Sequence, residues 1–112
     1  MAADDTFPTM DGQKRLSEAL VLEALEGVID PELGLDFVTL GLIYSVDIRD
    51  GDVEIVFSLT APGGPIGPHV ATQMVGLVGA LQGVRSVMPR LVFDPPWSKE
   101  RLSEDARCAL GL

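Results

Sequence analysis

Residues 42–60 read LIYSVDIRDGDVEIVFSLT, and this stretch decides the fold. Leu42, Tyr44, Val46 and Ile48 alternate with Ile43, Ser45, Asp47 and Arg49. Val53, Ile55, Phe57 and Leu59 alternate in the same way with Glu54, Val56, Ser58 and Thr60. A period of two is the mark of a strand with one buried face. Asp50-Gly51 sits between the two runs. Both residue types tolerate positive φ, so the pair suits the two-residue turn of a hairpin.

Working outward, residues 70–81 carry Val70, Met74, Leu77, Val78 and Leu81 at helical spacing. Pro68 fits the first turn of that helix, where a missing N–H is no loss. Gly76 and Gly79 lie inside it and predict close packing against a neighbouring backbone. Gly83 predicts its end. Val87, Pro89, Leu91 and Phe93 form a third strand, and Pro89 places it at a sheet edge. On the other side of the hairpin, Leu16, Ala19, Leu20, Ala24 and Val28 give a helix from about Lys14 to Gly27. Asp30-Pro31-Glu32 turns the chain. Asp36 is a candidate cap for one helical turn over Phe37–Leu40. After Asp94-Pro95-Pro96-Trp97, Ser98 is a candidate cap for a short final helix.

The expected order is α-β-β-α-β-α. The strands on either side of the second helix should run parallel, with a right-handed crossover. The fold class is then α/β, a two-layer arrangement with a small mixed three-stranded sheet and its helices mainly on one face. Residues 1–12 read as a flexible N-terminus and 13–112 as a single domain, which suits a chain of 112 residues.

Composition narrows the function. Hydrophobic residues make up 46% of the chain, enough for a core, and only 5% is aromatic. The formal charge of −9 argues against a nucleic-acid backbone or an anionic membrane as partner. The lone Cys108 allows no internal disulfide and no closed cysteine zinc site. The N-terminal residues lack the apolar core of a signal peptide, and no apolar run is long enough to span a membrane. A cytoplasmic location is the expectation.

Four places can carry chemistry. The loop Thr60–Pro68, with Gly63 and Gly64, joins a strand end to a helix start, a frequent ligand position in α/β folds. It lacks the Gly-Lys-Ser/Thr ending of a phosphate loop, so a structural turn competes with a binding loop. His69 stands beside it, with no second ligand or nucleophile in sight. Asp30 and Glu32 flank a proline and suit either a hard cation or a turn held by carboxylate-to-backbone bonds. Asp94, Pro95, Pro96 and Trp97 display an indole as an interface anchor or as a lid on the core. Cys108 reads as buried or idle.

Three segments resemble one family. Val28-Ile29-Asp30-Pro31-Glu32-Leu33-Gly34, followed by Leu40-Gly41-Leu42-Ile43-Tyr44, resembles the start of the PaaD-like domain of metal–sulfur cluster assembly factors, which include the SufT-like proteins. Leu59–Pro68 resembles the family's Thr-x-x-x-Cys-Pro loop. Val92–Ser98, with Arg101-Leu102-Ser103, resembles its closing motif. The resemblance implies a two-layer α/β fold, often a homodimer. It implies a non-catalytic role in iron–sulfur cluster assembly or metalloprotein maturation, through client and carrier proteins that include multicomponent oxygenases. It carries a functional role onto Asp30, Glu32, Thr60 and the Asp94–Trp97 segment. No tightly bound cofactor is implied; an iron–sulfur cluster or iron would be cargo in transit. The family cysteine falls on Gly64, which offers no thiolate to a soft metal. A divergent binding module without cluster chemistry is the competing expectation. A small acid–base enzyme using Asp30, Glu32 or His69 is the third.

Overall fold

The computed structural model describes residues 15–61 and 66–111. The expected tail at 1–12 lies outside them. The elements are α1 (Glu18–Leu25), β1 (Ile43–Arg49), β2 (Asp52–Phe57), α2 (Ile66–Gly79), β3 (Ser86–Leu91), a 3-10 turn (Lys99–Arg101) and α3 (Glu104–Leu110). The three strands order as β1-β2-β3, antiparallel at the first pair and parallel at the second. The expected order and mixed sheet are therefore found.

The hairpin forms for the reason its sequence gives. Asp50 has φ 51° and Gly51 has φ 86°, the left-handed pair of a tight turn. Gly51 is also required by space: a Cβ there would lie 2.7 Å from the carbonyl oxygen of Gly83. Arg85 N donates to the Gly51 carbonyl at the same point, so hairpin and third strand start from one junction.

Val53, Ile55 and Phe57 of β2 face the helices and are fully buried. They meet Val21 and Leu25 of α1 and Val70, Met74 and Val78 of α2 in one core. Val28, Phe37, Leu40 and Leu42, from the connection between α1 and β1, close it on the second side. Each such side chain contributes about 1.5–3 kcal/mol by leaving water.

β3 lies at an edge, as Pro89 requires. Ser86 N donates to Gly51 O, and Val92 N donates to Phe57 O. In a parallel pair, alternate residues turn both polar backbone groups to the same neighbour. Even-numbered positions therefore face β2, and the N–H that Pro89 lacks falls on the open side.

Several local expectations are corrected. α1 begins at Glu18, with the Ser17 hydroxyl accepting from Leu20 N, four residues later than the expected start at about Lys14. Ser17 ends the helix because its side chain competes for the free backbone donors there. α2 begins at Ile66, so Pro68 is its third residue, still within the first turn. Gly76 touches no neighbouring element, and Gly79 only approaches Val87. The glycine that packs closely is Gly67, whose Cβ would lie 3.1 Å from Leu91 Cδ2. Leu77 is exposed rather than part of the buried stripe. The cap of α3 is Ser103, whose hydroxyl accepts from Ala106 N. Ser98 precedes the 3-10 turn and its hydroxyl donates to Glu100.

Candidate functional site

The candidate site is built at the end of the sheet where β2 and β3 finish and β1 begins. Asp30 organises it. Its carboxylate is almost fully buried, and Oδ1 accepts from the backbone N–H of Glu32 at 2.7 Å and of Leu33 at 3.0 Å. Pro31 cannot donate, so the first free N–H groups after Asp30 are the two it takes. The backbone closes the same turn: Asp30 N donates to Leu35 O, and Gly34 N donates to Asp30 O. Gly34 adopts φ 74°, which lets the chain reverse there. Ile29 and Asp36 form an isolated bridge behind it.

The second carboxylate oxygen faces Thr60. The Thr60 hydroxyl donates to Asp30 Oδ2 at 3.5 Å, joining two segments 30 residues apart. Of the two roles open to Asp30-Pro31-Glu32, the structure shows the turn held by carboxylate-to-backbone bonds. Asp30 Oδ1 accepts from two backbone donors, while Glu32 is exposed. A buried carboxylate in this setting is stable because several donors share its charge.

Asp36 does cap a single turn, accepting from Thr39 N at 3.0 Å and from the Thr39 hydroxyl at 2.6 Å. That turn delivers Leu40 and Gly41 to the C-terminal segment. Between Ile43 and Ser45 the β1–β2 register slips, leaving Tyr44 as an extra residue opposite β2. A bulge of this kind re-aims one side chain. Tyr44 therefore leaves the core face on which strict alternation had placed it, and Ile43 takes that face.

Residues 92–103 form a strap across this end of the sheet. The strap leaves β3 at Val92 and reaches the start of β1. The Tyr44 hydroxyl donates to Pro95 O at 2.8 Å, and Trp97 Nε1 donates to Leu40 O at 2.6 Å. The Arg101 guanidinium lies 4.2 Å from the centre of the Tyr44 ring, a cation–π contact. Gly41, at φ 74°, lets the strap pass: a Cβ there would meet Arg101 O at 2.6 Å. Asp94, Pro95 and Pro96 remain exposed, whereas Trp97 is half-buried. The indole is thus lid and surface at once.

Beneath the strap lies a pocket of about 220 Å³ lined by Glu32, Leu33, Thr60, Ala61, Trp97, Lys99, Leu102 and Leu110. Its walls are mostly apolar, and Glu32, Thr60 and Lys99 are the polar residues among them. Glu32, Thr60 and Trp97, taken from three distant stretches of sequence, therefore share one cavity. His69 does not join them: it is exposed on the first turn of α2 and is not part of this lining. Gly63 and Gly64 lie outside the described residues. Cys108 is free and exposed, not buried. Lys99 and Leu110 were not singled out by the sequence, and Leu33 and Leu102 entered only within the family-like segments. Their signal was weak, since nothing local says that α3 folds back over the Asp30 turn.

Among the described residues, no group of three or more His, Cys, Asp or Glu side chains is placed to hold a metal ion. With glycine at 64, these residues do not fit a resident iron or cluster, because soft iron sites need thiolate or imidazole donors.

Residues 18–88 match the model of a protein family described as iron-sulfur cluster assembly protein. The chain belongs to this family. The matched range runs from α1 into β3 and includes Asp30, Glu32 and Thr60. The Fe-S protein maturation auxiliary factor YitW of Bacillus subtilis is 39% identical over 101 residues, covering 87% of this chain and 99% of the relative. The maturation auxiliary factor SufT of Staphylococcus aureus is 38% identical, covering 76% and 98%. Among solved structures, a domain from Bacillus anthracis superposes with a TM-score of 0.78 at 36% identity, covering 85% of this chain and 92% of that one. A Thermotoga maritima protein gives 0.74 at 38% identity, covering 89% and 99%. The three-motif resemblance to the PaaD-like and SufT-like factors is thus the family's own.

Proposed function

We propose that the protein is a non-catalytic maturation factor for iron–sulfur and related metalloproteins, acting by binding client or carrier proteins. The observation that carries this reading is the meeting of Glu32, Thr60 and Trp97 around one apolar pocket in a chain of this family. A mostly apolar cavity with Glu32, Lys99 and Thr60 among its lining residues suits an anchoring side chain of a partner protein. Asp30 holds the Thr60 segment and the Glu32 turn in register and is a positioning residue. Asp94, Pro95 and Pro96 supply the exposed rim.

The cluster or iron is cargo held by carrier and client, and the described residues offer it no ligand set. The oxygenase class of client, a homodimer and a role for Gly63, Gly64 or His69 belong to the same proposal. The test is deletion of the gene, with the activity of iron–sulfur enzymes measured in the cell and partners recovered by crosslinking. Reduced activity and recovery of iron–sulfur or carrier proteins are expected. Unchanged activity with no such partner would overturn the proposal.

A second reading, a binding module that has lost cluster chemistry, is favoured by Gly64 alone. Anaerobic reconstitution of the purified chain with iron and sulfide separates the two. A stable visible chromophore excludes the second reading; a colourless protein that still restores client activity shows that maturation here needs no cluster on this chain.

A further inference from the structure

The ion pairs of this chain are unevenly placed. Arg49 pairs with Asp47 at 2.9 Å, Arg85 pairs with Asp52 at 2.9 Å, and Arg90 approaches Glu54 at 3.5 Å. All three lie on or beside the strands. Around the strap, Glu32, Asp94, Glu100, Glu104 and Asp105 are exposed, and none of them is in an ion pair among the described residues. The cations of that end are Lys99, Arg101 and Arg107. Arg101 lies over the Tyr44 ring, and Arg107 donates to the Lys99 carbonyl at 3.2 Å. The strap end therefore keeps an unneutralised excess of carboxylates, in a chain of formal charge −9.

The pocket beneath the strap sits within that excess. At about 220 Å³ it is smaller than the ~300–1,000 Å³ usual for small-molecule sites, and it has the size for one large apolar side chain. Leu33, Ala61, Trp97, Leu102 and Leu110 give it apolar walls, against which a charged group would lose its hydration. Two charged residues, Glu32 and Lys99, also line it, and they do not pair with each other. Both are exposed, so charge is read at the rim of the cavity and apolar shape inside it.

We infer that the partner segment seated in this pocket is basic: one large apolar side chain fills the cavity, and lysine or arginine residues flanking it meet Glu32 and the carboxylates of the strap and α3. This rests on the reading of the pocket as the place where clients bind, and it adds the chemistry of the partner. The formal charge of −9 draws a basic segment in and turns an acidic one away. Lys99 opposes the flanking cations locally. The two charged lining residues therefore act with opposite sign: Glu32 strengthens binding and Lys99 weakens it.

The test uses two short peptides, acetylated and amidated, with a central leucine flanked by lysines in one and by glutamates in the other. Trp97 is the only tryptophan of the chain and lines the pocket, so its fluorescence reads occupancy. The lysine peptide is expected to bind, and to weaken about tenfold or more from low to high salt. Glu32→Gln should weaken it roughly two- to fivefold, and Lys99→Gln should tighten it by a similar factor. Alanine in place of the central leucine should abolish saturable binding, whereas Asp47→Asn, at the hairpin end, should leave binding unchanged. Equal or tighter binding of the glutamate peptide overturns the inference, as does a lysine peptide indifferent to Glu32→Gln or to the loss of its leucine. Failure of both peptides to bind, with iron–sulfur enzyme activity restored to the deletion strain by the wild-type chain, overturns the basic anchor and leaves the maturation role standing. A deletion strain without a defect overturns the maturation role whatever the peptides do.

Discussion

The two ends of the sheet are held by different means. At the hairpin end, the chain turns on Asp50 and Gly51, and the side-chain bonds are exposed: Arg49 to Asp47, Arg85 and Ser86 to Asp52. At the other end two of the bonds are half-buried, Thr60 to Asp30 and Trp97 to Leu40, beside an exposed one from Tyr44 to Pro95. Exposed ion pairs contribute little to stability, whereas buried or half-buried bonds cost the full desolvation of the partner when broken. The hairpin end thus turns on local residues and is tied to β3 by exposed side-chain bonds to Arg85 and Ser86. The strap end exists only when three segments have come together, and that is where the pocket lies.

This contrast can be broken most strongly at Asp30. Asp30→Ala leaves the N–H groups of Glu32 and Leu33 and the Thr60 hydroxyl without their acceptor. A loss of about 3 kcal/mol is expected, read by urea denaturation. Gly41→Ala comes next, at about 2 kcal/mol, since it combines a strained left-handed φ with a Cβ against the Arg101 carbonyl. Trp97→Phe removes one hydrogen bond and keeps most of the packing. It should cost about 1 kcal/mol and loosen the strap, seen as faster hydrogen exchange at Leu40–Leu42.

The smallest effect is expected at the hairpin end. The Ser86 hydroxyl, followed by the Arg85 guanidinium, holds the Asp52 carboxyl below the usual carboxylate range, against a smaller opposing effect of burial. A depressed folded-state pKa adds stability above the unfolded value and loses it as pH falls through the folded value. Asp52→Asn should therefore lower Tm only slightly near neutral pH. The difference from the wild type should vanish in acid, below the ordinary carboxylate range.

How much of this was legible in the sequence follows the same division. The hairpin was readable except at Tyr44, because Asp-Gly and period-two alternation act over neighbouring residues. The edge position of β3 was readable from Pro89 alone. The helix starts were misplaced by a few residues, since apolar periodicity runs past the cap that ends the helix. At the strap end, the sequence marked Asp30, Glu32, Thr60 and Trp97 as separate motifs. It did not place them together, because no local pattern encodes a bond across 30 or 57 residues. Tyr44 went astray for a related reason: the bulge that turns it to the strap is a property of the pairing and not of β1. His69 shows the converse, a chemically attractive residue that the helix carries to the exposed surface away from the pocket.

The central claim is that the pocket under the strap is where the protein meets its clients. Glu32→Ala tests it most directly, because Glu32 is exposed and only its backbone N–H serves the Asp30 turn. In cells lacking the gene, iron–sulfur enzyme activity would be measured with the wild-type chain or the variant restored at equal level. The variant is expected to fold with an unchanged Tm and to fail to restore activity. Full restoration by Glu32→Ala would contradict the account.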